Sequence, residues 1–143
     1  MAGYSGTPLA IKLGIRPGHA VALVAAPDGF EAALDGLPDG VAITRWPAGA
    51  APPDGPFDVL VAFTRAAQAL EAGFETWAGA LRIEGGLWIA WPKRASGVPT
   101  DLDENRVRAV GLAAGRVDNK VCAVDDVWSG LRFVVRRADR PRR

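Results

Sequence analysis

The chain has 143 residues, 49% of them apolar and 23% charged, which is the size and balance of one globular domain. Its 17 Lys+Arg and 16 Asp+Glu leave a net charge of +1, without the basic excess of a general nucleic-acid binder. Cys122 is the only cysteine, so an intrachain disulfide and a zinc cluster are both excluded.

The opening MAGYSGTPLAIKLG lacks the apolar stretch of a signal peptide, and no apolar run approaches the ~20 residues of a membrane helix. Together these features predict a cytoplasmic protein without membrane or nucleic-acid partners.

Thr7-Pro8 followed by LAIKLG reads as a short helix, with Thr7 as N-cap, Pro8 in the first turn and Gly14 as the left-handed stop. Residues 20–26 (AVALVAA) form a continuous apolar run, as expected of a strand buried on both faces. Asp28 or Gly29 then caps a helix whose stripe is Phe30, Ala33, Leu34 and Leu37. A second strand covers 41–46 (VAITRW), and a proline-rich loop leads to a third at 57–63 (FDVLVAF).

A helical pattern spans about 65–82, with Leu70, Phe74, Trp77 and Leu81 on one buried face. Gly85-Gly86 separates it from a fourth strand at 87–91 (LWIAW), where Trp88 and Trp91 fall on opposite faces. Thr100 or Asp101 caps the next helix, with Asp103 and Glu104 completing the box and Gly115 ending it. Strands at 117–124 and 131–136, joined through DDVWSG as a hairpin, complete a single α/β domain over residues 1–137, and 138–143 is expected to be a disordered basic tail.

Strands alternating with helices imply right-handed crossovers and a mainly parallel sheet with helices on both faces. The order, ending in a hairpin, is similar to the Rossmann-like α/β fold of class I methyltransferases, truncated by one strand–helix unit. Ligands of such sheets bind beyond the carboxyl ends of the strands. That edge collects Asp28, Arg45, Trp46, Thr64, Arg65, Lys93, Arg94, Ser96, Asp125, Asp126, Trp128 and Ser129.

Two cations and a hydroxyl in WPKRAS (Lys93, Arg94, Ser96) suit a phosphate or carboxylate, although a solvated loop has the same composition. Asp125-Asp126 with Trp128-Ser129 could share a proton or hold a cation, yet aspartate and serine are also ordinary turn residues. His19, the only histidine, precedes the first strand and therefore lies at the far edge, which removes Ser/His/Asp and Cys/His catalysis. Cys122, inside NKVCAV, is expected to be a buried, unreactive thiol.

An adenosine-type methyl donor needs a glycine-rich turn after the first strand and an acidic residue ending the second. The chain offers AAPDGF and Arg45-Trp46 instead, so no cofactor is expected.

The segments GYSGTPLAIKLGIRPG, GGLWIAWPKRASGVPTDL and GLAAGRVDNKVCAVDDVWSGLRFVVR resemble a bacterial family known as domain of unknown function 3052. The resemblance runs from Gly3 to Arg136 and implies a small stand-alone cytoplasmic protein, without an activity to carry over. The leading functional expectation is a non-catalytic or regulatory protein that binds a small anionic ligand or a protein partner at the carboxyl edge. The alternatives are a diverged methyltransferase-like transferase using that edge and a purely structural interaction module.

Overall fold

Runs that are apolar on both sides of the chain become the interior of a single six-stranded sheet. The computed structural model describes residues 7–140. Their elements are α1 (Leu9–Lys12), β1 (Ala20–Val24), β2 (Ala42–Trp46), β3 (Phe57–Phe63), α2 (Ala67–Gly79), β4 (Leu81–Pro92), α3 (Glu104–Ala113), β5 (Arg116–Ala123) and β6 (Trp128–Val135). The strand order is β2-β1-β3-β4-β6-β5. The β1–β2, β1–β3 and β3–β4 pairs are parallel, and β6 runs antiparallel to both β4 and β5. From β1 the chain steps outward to β2, then crosses back to β3 on the other side, so the winding reverses between β1 and β3.

Side chains alternate across the sheet and build two cores. Leu60, Leu87, Ile89, Leu131 and Phe133 meet Leu70, Phe74 and Val107 of α2 and α3 on one face. Val21, Leu23, Val61 and Trp88 meet Ala10, Leu13, Phe30 and Leu34 on the other. Each such large side chain, taken fully out of water, contributes about 1.5–3 kcal/mol. Trp88 faces α1 and donates its indole N–H to the Leu13 carbonyl at 3.0 Å, whereas Trp91 belongs to the opposite core, as their spacing requires. No helix of the described residues is long and apolar enough to cross a membrane.

Several expectations need correction. Pro8, not Thr7, stands at the N-cap of α1, which has no side-chain cap, although Gly14 does take the left-handed conformation at φ 82°. After β1 there is only a 3-10 turn, Phe30–Ala33, with Phe30 and Leu34 buried but Ala33 and Leu37 exposed. Asp35-Gly36 stops the turn. Gly36 has φ 79°, and a Cβ there would stand 2.7 Å from Pro8 Cβ.

Of the expected α2 stripe, Leu70 and Phe74 are buried, while Trp77 is half-buried with its ring laid over Gly73. Leu81 belongs to β4, pairing with Phe57. Gly85-Gly86 lies inside β4 and does not precede it. Asp103 caps α3, accepting from Arg106 N at 2.8 Å. Asp101 instead caps α2, accepting from Ala67 N at 2.8 Å, and Thr100 donates its hydroxyl to the Arg65 carbonyl at 2.6 Å. Trp128 and Ser129 open β6 and are not part of the link before it. A 3-10 turn, Arg137–Asp139, runs into the start of the expected 138–143 tail, of which 141–143 lie outside the described residues.

Candidate functional site at the carboxyl edge

Where the winding reverses, the loops leaving β1 and β3 diverge and leave a crevice. A cavity of 460 Å³ occupies it, lined by Ala25 and Pro27 after β1, Phe63 at the end of β3, Thr64 to Ala66 after it, Ala69 of α2 and Trp128 of β6. That volume lies within the range of about 300–1,000 Å³ of small-molecule sites. Its wall is aromatic. Phe63 packs edge-to-face on Phe30 at 4.9 Å and on Trp128 at 5.1 Å, the latter at 89°. Thr64 is buried, and its hydroxyl donates to the Ala66 carbonyl at 3.2 Å. Ala25 holds φ 52°, the one left-handed residue other than glycine among the described residues. Such strain, of order 1–3 kcal/mol, concentrates where ligands bind.

Beside the cavity the β1 loop is closed by Arg45. Its guanidinium pairs with Glu31 at 2.6 and 2.7 Å and donates to the Ala26 and Pro27 carbonyls at 3.1 and 2.9 Å. The hydrogen bond from Arg45 is the main reason the exposed Glu31 carboxyl falls from 4.5 to about 2. Trp46 is buried, donating its indole N–H to the Ala50 carbonyl at 2.9 Å, so it packs the sheet edge and offers no face to a ligand.

The twelve residues that the sequence collects at this edge lie opposite His19, but they do not form one cluster. Thr64 and Trp128 line the cavity. Asp28 is exposed on the β1 loop, close enough to Arg45 to favour its charge. The Lys93 amide donates to the Val127 carbonyl at 2.7 Å, tying the WPKRAS loop to the hairpin. Ser96 donates its hydroxyl to the Lys93 carbonyl at 2.7 Å and accepts from Val98 N, a turn-building role. Asp125 accepts from the Val127 and Trp128 amides, both at 2.8 Å, which fixes the hairpin turn. Arg94 and Asp126 are exposed, and Ser129 pairs with Trp91 and Ala123 in the sheet.

Sequence reasoning passed over Phe63 as a site residue because its pattern is that of a core position. Among the described residues, no group of three or more His, Cys, Asp or Glu is placed to hold a metal ion.

No family model matches the sequence. No curated protein matches it either. Solved structures do. An S-adenosylmethionine-dependent methyltransferase from Aquifex aeolicus superposes with a TM-score of 0.63 at 13% identity, over 89% of this chain and 93% of that one. Fibrillarin from Aeropyrum pernix, solved with natively bound S-adenosyl-L-methionine, gives 0.59 at 14% identity over 92% of this chain and 70% of that one. The magnesium protoporphyrin IX methyltransferase of Synechocystis PCC 6803, with bound S-adenosylhomocysteine, gives 0.55 at 10% identity over 83% and 75%.

The fold is methyltransferase-like. At 10–14% identity these neighbours show the fold alone, and the resemblance to domain of unknown function 3052 gains nothing from them.

The residues present do not fit an adenosine-type donor held in the β1 turn. The loop carries one glycine, Gly29, and opens a single 3-10 turn in place of a helix whose amides could face the ligand. Arg45 occupies the carbonyls of that loop, at the strand end where an acidic residue would meet ribose hydroxyls.

Proposed function

We propose that this chain is a diverged methyltransferase-like transferase whose reacting partners meet in the cavity between β1 and β3, beneath Trp128. The observation that carries the reading is the position of that cavity, at the point of a methyltransferase-like sheet where the winding reverses. Phe63 and Trp128 supply an aromatic wall for a flat ligand, Ala66 and Ala69 a close-fitting floor, and Thr64 and Arg65 a polar rim. Moving a small group between two bound partners depends first on alignment and exclusion of water, which suits a cavity without histidine or cysteine. The donor is of a kind that does not require a glycine-rich turn. Kinship with domain of unknown function 3052 is part of the same proposal and brings no activity with it.

A second reading, favoured by the Arg45–Glu31 closure over the β1 loop, is a non-catalytic protein binding a small anionic ligand or a protein partner. Lys93 and Arg94 supply its cations. The two readings separate when the protein is incubated with the small-molecule fraction of a cell extract and examined by native mass spectrometry. Transfer predicts capture that depends on Trp128 and a captured molecule whose mass changes over time. Capture of an unchanged molecule favours the binder. If Trp128→Ala captures the same molecules as wild type, the cavity is not the site and the transferase reading falls.

A further inference from the structure

At the amino edge of the sheet lies a second cleft, of 420 Å³, which the carboxyl-edge rule gives no reason to expect. Its cations come from separate segments: Lys12 of α1, Arg16 before β1, Arg82 of β4, Lys120 of β5 and Arg132 of β6. Among the described residues only two carboxylates line it, Asp58 and Glu84. Asp58 is committed to the fold, accepting from Ala20 N at 2.8 Å and pairing with Arg82 Nε at 3.1 Å. None of Lys12, Arg16, Lys120 and Arg132 takes part in the ion pairs found among the described residues.

Arg132 is the decisive residue. Its side chain lies across the backbone of Gly86, where a Cβ would stand 2.3 Å from Nε, so the glycine in mid-strand makes room for the guanidinium. Among the described residues Nε is buried without a hydrogen-bond partner, and Nη1 reaches only Asn119 Oδ1 at 3.4 Å. Burial, followed by the charges of Arg140 and Arg16, works against its ionised form. A half-buried cation with an unused donor, among like charges, destabilises the empty protein, and an aliphatic side chain would fill the space without that penalty.

We propose that this amino-edge cleft is a second binding site, built for a small phosphorylated anion, with Arg132 at its base and Arg16 and Lys120 at its exposed rim. The site is independent of the transferase reading, since it occupies the opposite edge. Guanidinium groups match the geometry of phosphate oxygens, and a phosphoryl group would satisfy the free Arg132 donor while neutralising its neighbours.

The test is calorimetric titration of the full chain with pyrophosphate. Wild type is expected to bind, and Arg16→Ala with Lys120→Ala to weaken binding by about tenfold or more. Arg132→Met should lose binding yet keep or raise the ligand-free melting temperature, an outcome that a purely structural arginine would reverse. Arg106→Ala, which removes an exposed cation of α3 outside this cleft, should bind pyrophosphate as wild type does. Absence of binding at millimolar pyrophosphate overturns the proposal. So does binding lost in the Arg106 variant but kept in the Arg16/Lys120 variant. Affinity for oligonucleotides that exceeds that for pyrophosphate and rises with length would assign the cleft to nucleic acid and overturn it as well.

Discussion

Gly111 offers a sharp test of how α3 sits on the sheet. Replacing an interior helical glycine by alanine ordinarily stabilises by roughly 0.5–1 kcal/mol, because the unfolded chain loses freedom. Here the added methyl would stand 2.1 Å from Phe133 Cε1. Phe133 is fully buried and held edge-to-face against Phe74 at 5.4 Å, so its ring has nowhere to retreat. Overpacking typically costs 1–3 kcal/mol, and a fixed aromatic neighbour puts this site towards the upper end. Gly111→Ala should therefore lose about 1–2 kcal/mol net, lowering the melting temperature by about 3–8 °C. Urea denaturation followed by tryptophan fluorescence measures it, and Phe133→Leu supplies the control. In that background the same alanine should be neutral or stabilising, giving a favourable coupling in the double-mutant cycle. A higher melting temperature for Gly111→Ala alone would refute the packing of α3 on β6.

Other expectations follow from the same structure. S-adenosyl-L-methionine should bind more weakly than about 1 μM, or about −8 kcal/mol, in calorimetry; tighter binding would show that the Arg45 closure opens. Asp101→Ala should cost about 0.5–2 kcal/mol by uncapping α2, seen as a lower denaturation midpoint, with Asp101→Asn recovering part of it. The Glu31 carboxyl should titrate near 2 by NMR and return towards 4.5 in Arg45→Gln. Because its folded value lies below the unfolded one, the pair's contribution is complete above pH 4.5 and fades as the pH falls towards 2. Burial raises the Cys122 thiol above its ordinary range, with nearby Lys12 and Lys120 opposing, so a thiol reagent at neutral pH should label it more slowly than a free cysteine.

β1 and β3 were legible because burial on both faces demands unbroken apolar runs. The third strand was predicted at 57–63, the span β3 occupies. The turn after β1 was not, since Phe30 and Leu34 have helical spacing but fill a pocket that one 3-10 turn completes. Gly85-Gly86 reads as a break from local propensity alone. Its reason lies 46 residues beyond Gly86, in the space taken by Arg132. Thr64 and Trp128 could be placed at the site by topology. The Arg45 closure and the amino-edge cleft could not, because each depends on side chains from distant segments meeting in space.

The capping of α2 by Asp101 bears on timing. The first turn of this helix, whose Ala66 and Ala69 form part of the cavity wall, is completed by a residue 34 positions further on. With Thr100 holding the Arg65 carbonyl, the segment after WPKRAS acts as a latch across the front of the helix. The leading amide of α2 therefore has its side-chain cap only while this loop is docked. In the native protein, exchange of the Ala67 amide with solvent reports how often the latch lifts. Anything that grips the loop alters the cavity's edge without entering it, and a ligand in the cavity tightens the loop to the same degree.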